Sequence, residues 1–544
     1  VPHEASEEQI LQQIEDFANF AAFCQEAGYD GVEIMGSEGY FINEFIAKRT
    51  NQRKDRWGGS FENRIRLALE IVRRTRERVG ANFIIIFRLS MLDLVEGGSS
   101  FEETVILGKA LAKAGVTIIN TGIGWHESQI PTIATKVPRG AFTWVTAKYR
   151  DHLPVPVITS NRINTPELAE QVLAQGDADM ISMARPFLAD PHFVNKAATN
   201  RSAEINTCIG CNQACLDHIF NGQLTSCLVN PRACHELEFQ ISPTTSVKRI
   251  AVVGAGPAGL AFATTAAERG HKVALFDSAA QIGGQFNLAK RIPGKEEFNE
   301  TLRYFAQRLQ ALGVEINLNT RVTSAQLNAE DFDAVAVATG ITPRVPNIEG
   351  VDHPMVLSYV DVISGKATVG KRVALIGAGG IGFDVAEFLS HGEATPSQDI
   401  PVFMKEWGVD MTMAARGGIE GVSAQLEPSP RQIFLLQRKQ TRIGANLGKT
   451  TGWIHRLGLM KRHVQMLAGC DYQRIDDEGL HLTVNGEPRL LAVDNVVICA
   501  GQEPLQELVA GLKIPCQLVG GANVAAELDA KRAIEEATRA ALNI

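Results

Sequence analysis

Apolar residues Ile10, Ile14, Phe17, Phe20 and Ala21 recur at helical spacing over residues 6 to 27, and Ala27-Gly28-Tyr29 ends the pattern with a glycine where a helix closes. The spacing predicts a helix. Beyond it the pattern changes to short, nearly continuous apolar runs, each leading into polar or glycine-rich residues: Gly31 to Met35, Phe83 to Leu89, Thr117 to Asn120, Val155 to Thr159 and Asp179 to Met183. Amphipathic helical stretches separate them, among them Asn63 to Val79 and Phe101 to Ala114. Buried parallel strands alternating with helices produce this text. Such units suit a β/α barrel, in which chemistry sits on the loops after the carboxyl ends of the strands. A barrel needs eight units and this stretch holds five, while the chain starts at Val1 and enters on a helix. The expectation is therefore that residues 1–200 are the C-terminal portion of a barrel lacking about three units at its front.

Residues 201–247 carry a cysteine cluster and end in the turn-rich linker Ser242-Pro243-Thr244-Thr245-Ser246. From Lys248 the pattern becomes that of two dinucleotide-binding units, opening with Arg249-Ile250-Ala251-Val252-Val253 and Arg372-Val373-Ala374-Leu375-Ile376. The predicted fold class is α/β, a partial TIM-type β/α barrel followed by a cysteine segment and two Rossmann-like domains, one over 248–370 and 485–544, the other over 371–484. A chain of 544 residues with 45% hydrophobic content has material for such separate cores. A net charge of -8 without a basic block gives no electrostatic footprint for nucleic acid. Nine cysteines are too sparse for a disulfide scaffold and point to a reducing, cytoplasmic compartment. No apolar stretch has the length of a membrane span, and no charged-then-apolar leader opens the chain.

Cys208, Cys211, Cys215 and Cys227 follow the spacing C-x2-C-x3-C-x11-C. Four thiolates can hold a [4Fe-4S] cluster, whereas a closed zinc site more often shows two separated C-x2-C pairs, so the uneven spacing favours iron and sulfur over zinc or unligated core cysteines. Gly254, Gly256 and Gly259 follow a strand and precede a helix, with Asp277 closing the next strand. The glycines admit a pyrophosphate to the helix N-terminus, and the aspartate can accept from a ribose hydroxyl; the alternative is a tight glycine turn without a ligand. Gly284-Gln285 and Gly340 stand where two-dinucleotide flavoproteins approach FAD again. Gly377, Gly379 and Gly382 repeat the fingerprint, and their partner strand ends in Gln437-Arg438-Lys439 instead of an acid. Arginine and lysine there offer charge to a 2′-phosphate and favour NADPH over NADH, against the reading of an ordinary basic strand end.

In the barrel half, Arg88, Asn161-Arg162 and Ala184-Arg185 follow strand ends, and the three arginines suit a flavin ring and its phosphate, unless each pairs with a local carboxylate. Tyr40 and His126 stand past two other strand ends, each preceded by glycine. A phenol beside an imidazole can deliver a proton to a developing carbanion. Spacing alone leaves Tyr40 more readily a packing residue and His126 a surface histidine.

Gly36-Ser37-Glu38-Gly39-Tyr40-Phe41-Ile42-Asn43-Glu44-Phe45, Arg56-Trp57-Gly58-Gly59-Ser60-Phe61-Glu62-Asn63-Arg64 and the loop Cys208 to Cys215 carry a resemblance. From the first helix to Ile544 the chain resembles the bacterial NADPH-dependent 2,4-dienoyl-CoA reductases, old yellow enzyme relatives with an attached iron-sulfur and pyridine-nucleotide module. The resemblance implies Tyr40 as proton donor, His126 as its partner, and Arg88, Arg162 and Arg185 as holders of FMN. It implies electron flow from NADPH to FAD, through a [4Fe-4S] cluster to FMN, and then reduction of a 2,4-dienoyl-CoA to a 2-enoyl-CoA in unsaturated fatty acid β-oxidation. Relatives that reduce simple enones place histidines where this chain has Met35 and Glu38. Two rival expectations stand beside this one: an electron-transfer module without acyl-CoA turnover, and a reductase of another α,β-unsaturated compound.

Overall fold

The computed structural model describes residues 3–526 and 528–544 and divides into two compact units. The first comprises residues up to 133, residues 137–183 and residues 396–426. The opening helix spans Glu7–Glu26, started by a capping box between Ser6 and Gln9, and Gly28 beyond its end has the left-handed φ of 89°. Ile10, Ile14 and Ala21 are buried as the spacing predicts, but Phe20 is 64% exposed. Five strands form one sheet in chain order: Gly31–Gly36, Ile84–Leu92, Ile118–Ile123, Val157–Thr159 and Met180–Ile181. Every neighbouring pair in it is parallel. The helices Arg66–Val79 and Phe101–Ala114 match two of the predicted amphipathic stretches.

Residues 396–426 lie in the chain between the two halves of the second dinucleotide fingerprint, yet they pack into the first unit. Backbone bonds from Leu94 N to Gly417 O and from Gly417 N to Ser99 O hold them there, together with a partly buried charge network. Glu103, at the third position of the helix Phe101–Ala114, accepts from Arg64 at 2.9 Å and from Arg416 at 2.7 Å. Arg64 is almost fully buried, so its charge depends on Glu103. Burial alone would raise the Glu103 carboxyl, but the arginines and the Ser100 amide win and hold it below its ordinary value.

The second unit contains two five-stranded sheets in which all neighbours are parallel. One has the order Cys516–Leu518, Ala334–Val337, Arg249–Val253, Lys272–Phe276, Glu315–Asn317. The other runs Val356–Ser358, Asn495–Ile498, Arg372–Ile376, Gln432–Leu436, Gln465–Leu467. The central strands are buried, as their continuous apolar text requires. The boundaries expected at 370 and 485 fall elsewhere. Val356–Ser358 and Asn495–Ile498 both belong to the second sheet, because the antiparallel ladder Cys470–Asp476, Gly479–Val484, Glu487–Leu491 returns the chain to that sheet before it rejoins the first. No described helix is long and apolar enough to cross a membrane.

Replacing Glu103 with glutamine strands the Arg64 charge and is expected to cost about 3 kcal/mol, read as a lower urea midpoint. Because the carboxyl is depressed on folding, its contribution is complete above its ordinary value of 4.5 and is lost as pH falls through the lower folded value. The wild-type midpoint should therefore fall over that acid range more steeply than the E103Q midpoint; parallel curves would contradict the network's role.

Candidate active site

In the first unit the strand Gly31–Gly36 ends at buried Ser37, and the chain turns through Glu38 at φ 64° and Gly39 at φ 80°. A side chain at Gly39 would meet the Trp125 ring, so only glycine lets this turn close over its neighbour. Tyr40 then starts the helix Phe41–Ile46. From the end of Ile118–Ile123 the chain passes Gly124 and Trp125, whose indole N–H donates to buried Asp93 at 2.8 Å, and reaches His126. The two loops bring Tyr40 Oη within 2.6 Å of His126 Nε2, with the rings edge to face. Tyr40 is 47% exposed, so the pair faces outward from the protein. Burial, and then the charges of Glu38 and Glu127, raise the Tyr40 phenol above its ordinary value and favour the protonated form.

Arg88 pairs with Glu38 at 2.9 Å. Arg88 Nε and Asn120 Oδ1 are nevertheless buried without a hydrogen-bond partner, and the two residues are in register on adjacent strands. An orphan donor beside an orphan acceptor fits the edge of a flavin ring, which offers both an acceptor and an N–H. Glu38 and Asn120 were not singled out in the sequence as site residues, although the position of Asn120 at the end of a buried strand was a usable signal. Asn161 and Arg162 have successive left-handed φ values of 70° and 59°. Asn161 reaches Thr132 O, and the buried Arg162 donates through Nε to Val137 O at 2.9 Å. Ala184 and Arg185 belong to the second unit. There Arg185 begins the helix Arg185–Ala189 and donates to Asn212 Oδ1 at 2.6 Å, so it sits among the cysteines.

Cys208, Cys211, Cys215 and Cys227 line one cavity together with Arg185 and Asn212. Gly210 and Asn212, at φ 66° and 63°, turn the backbone between the first three. Burial pushes the Cys211 thiol up to about 12 and also raises Cys215 and Cys227, with neighbouring sulfurs adding to the effect. A tetrahedral zinc at about 2.3 Å from each sulfur would draw them to about 3.8 Å apart. Four thiols around one cavity suit a metal centre, whose binding would displace the thiol protons.

Both dinucleotide fingerprints form the same tight turn. Gly254 and Gly377 have φ values of 110° and 114°, and a side chain on Gly259 or Gly382 would strike the carbonyl of Gly254 or Gly377 at 1.8 Å. The helices Pro257–Glu268 and Gly380–Ser390 begin at Gly256 and Gly379 without a capping side chain, leaving their first N–H groups for an anion. Asp277 accepts from Ala255 N and Ala279 N, both at 2.7 Å, and so holds the first glycine loop. Gly284 approaches Gly256, Gln285 lies beside the Tyr359 hydroxyl, and the space around Gly340 is open. After the strand Gln432–Leu436, Gln437 closes its own loop by donating to Lys439 O and Thr441 O. Arg438 and Lys439 are exposed.

These features define a flavin-dependent oxidoreductase fed by a pyridine nucleotide. Residues 1–204 match the NADH:flavin oxidoreductase / NADH oxidase family and residues 248–532 match the pyridine nucleotide-disulphide oxidoreductases. The chain belongs to the family that joins these two parts, an old yellow enzyme type domain followed by a pyridine nucleotide-disulphide oxidoreductase domain. It is similar to a metal reductase of Desulforamulus reducens, at 36% identity over 94% of this chain and 76% of the relative. A cinnamate reductase of Clostridium sporogenes is 28% identical over 96% of this chain and 76% of its own. Among solved structures, 2-naphthoyl-CoA reductase in complex with 2-naphthoyl-CoA superposes with a TM-score of 0.89 at 29% identity, covering 100% of this chain and 77% of that one.

If Arg438 and Lys439 receive a 2′-phosphate, changing both to alanine raises KM for NADPH about 10- to 100-fold and leaves KM for NADH nearly unchanged. Equal effects on the two nucleotides in steady-state assays would contradict that role.

Proposed function

We propose that the chain is an NADPH-dependent reductase of conjugated acyl-CoA thioesters, with a 2,4-dienoyl-CoA as substrate and a 2-enoyl-CoA as product. The observation that carries this reading is the 2.6 Å contact between the Tyr40 hydroxyl and His126 Nε2 at the mouth of a parallel sheet. Its support from relatives is that 2-naphthoyl-CoA reductase and cinnamate reductase are named for conjugated acyl compounds, the first a CoA thioester.

Arg88, Asn120, Asn161 and Arg162 would hold FMN, with Arg185 implicated by resemblance alone. The loops at Gly254 and Gly284 would hold FAD, the loop at Gly377 with Arg438 and Lys439 would hold NADPH, and the four cysteines would hold a [4Fe-4S] cluster. When bound, these groups supply hydride uptake from the nicotinamide, passage of single electrons, and hydride delivery to the substrate. Addition of hydride to the terminal diene carbon, C5, leaves an electron pair delocalised over C4, C2 and the thioester oxygen. Tyr40 Oη–H gives its proton to C4, forming the C4–H bond and breaking O–H. The double bond is left between C2 and C3. His126 donates through Nε2–H to the resulting phenolate, and a proton from water restores the phenol. Burial, with the charges of Glu38 and Glu127, holds the phenol in its protonated form between turnovers.

A second reading rests on the metal reductase relative, at 36% identity. In it, electrons from NADPH leave to a metal ion or artificial acceptor and acyl thioesters are not turned over.

Tyr40→Phe is expected to lower kcat on 2,4-dienoyl-CoA by about 10²- to 10⁴-fold while NADPH oxidation by an artificial acceptor continues. In the wild type, the alkaline limb of kcat should lie above the ordinary phenol value of 10.0, because a raised phenol keeps its proton until pH passes the raised value. Full kcat in Y40F, or an alkaline limb below that value, would remove Tyr40 from the mechanism. Absence of acyl-CoA turnover with intact diaphorase activity would favour the second reading.

Metal analysis of the purified protein should return about four irons and four sulfides per chain, falling on Cys227→Ser substitution. Zinc as the sole metal would refute the cluster.

A further inference from the structure

The second unit contains a cavity of about 450 Å³ that none of the roles above uses. It lies against Thr264, Thr265 and Glu268, at the C-terminal end of the helix Pro257–Glu268, whose opposite end forms the first dinucleotide cradle. Its size is in the range of small-molecule sites. Val229, Phe305 and Ile534 give it an apolar wall.

Its charged lining mostly cancels. Lys196 pairs with Asp190 at 2.6 Å, Arg201 with Glu204 at 3.3 Å, and Arg308 with Glu268 at 2.9 Å. Among the described residues Arg232 forms no ion pair, and its Nε is buried without a hydrogen-bond partner; Glu236, which also lines the cavity, accepts from Cys234 N at 3.0 Å. Asn206 is only 5% exposed, donates through Nδ2 to Val229 O, and leaves a buried Oδ1 with no donor. Tyr304 lines the same cavity, and its hydroxyl makes no hydrogen bond among the described residues. Burial pushes that phenol up to about 12, with the charges of Arg308, Asp190, Glu268 and Arg232 acting on it in opposite directions, so it stands as an O–H donor.

An unpaired guanidinium, a free phenol donor and an orphan amide acceptor around an apolar-walled space are complementary to one kind of molecule. We propose that this cavity binds a small organic anion with an aromatic body, its carboxylate taken by Arg232 and Tyr304 and a hydroxyl or amino donor on its far end taken by Asn206 Oδ1. A buried amide oxygen and a guanidinium nitrogen left unpaired each cost free energy that such a ligand would recover. The site shares no residue with either dinucleotide cradle or with the Tyr40–His126 pair, so the proposal does not depend on the acyl-CoA reading.

The test is calorimetric titration of the holoenzyme with 6-hydroxy-2-naphthoate, which carries a carboxylate, an aromatic body and a hydroxyl donor. Saturable binding is expected, weakened about 10-fold or more by Arg232→Gln and about 3-fold or more by Tyr304→Phe. On the wild type, 2-naphthoate, which lacks the hydroxyl, should bind about 3-fold or more weakly than its hydroxylated analogue. Both variants should keep the wild-type rate of NADPH oxidation by an artificial acceptor, and Tyr304→Phe carries the test if Arg232→Gln does not fold. No saturable binding below about 1 mM, or an unchanged Kd in both variants, would overturn the proposal.

Discussion

The Tyr40–His126 pair and both glycine cradles follow from one constraint: a parallel strand buried on both faces can satisfy its backbone N–H and C=O groups only through neighbouring strands. Polar chemistry is excluded from the middle of such a sheet and collects where the strands end. Tyr40 follows Gly31–Gly36 and His126 follows Ile118–Ile123. Gly254 and Gly377 follow Arg249–Val253 and Arg372–Ile376 in the same way. In each case a glycine or a left-handed residue turns the chain at the strand's end. The next residues then hold a side chain or an array of helix N–H groups toward a ligand.

Charge burial is managed differently in different parts. Structural charges are paired closely: Glu103 serves two arginines in the first unit. In the second, Lys136 lies 2.6 Å from Glu387, and although burial opposes it, the ammonium helps hold that carboxyl down to about 2. Some buried polar groups are left incomplete instead. Arg88 Nε and Asn120 Oδ1 are buried and unsatisfied in the barrel half, as are Arg232 Nε and Asn206 Oδ1 in the second unit. Each unmet group costs on the order of 1–3 kcal/mol in the free protein, which a complementary ligand can offset. The cysteines follow the same logic. Buried thiols with raised values are poor anions by themselves, and a bound metal centre would convert them to ligands by taking their protons' place.

Much of the architecture was legible as text because parallel strands and the helices between them carry distinct periods. The runs at Phe83 to Leu89 and Phe101 to Ala114 correspond to the strand Ile84–Leu92 and the helix Phe101–Ala114. The glycine fingerprints were equally readable, since only glycine fits where Gly259 and Gly382 meet a carbonyl. Phe20 shows the limit of periodicity, which assigns a residue to a helical face and not to a buried one.

The sequence by itself determined the parallel α/β class, the two nucleotide turns and the existence of a four-cysteine segment, because these depend on local period, backbone sterics and spacing. Tertiary structure alone decided that Tyr40 and His126, separated by 86 positions, meet at 2.6 Å, and that Arg185 belongs with the cysteines. It also decided that residues 396–426 pack into the first unit and that Asn206, in the lining of a cavity, keeps a buried acceptor without a donor. Those outcomes depend on which distant groups share a dehydrated space. Pairing and desolvation energies there belong to three-dimensional neighbours, and spacing along the chain does not encode them.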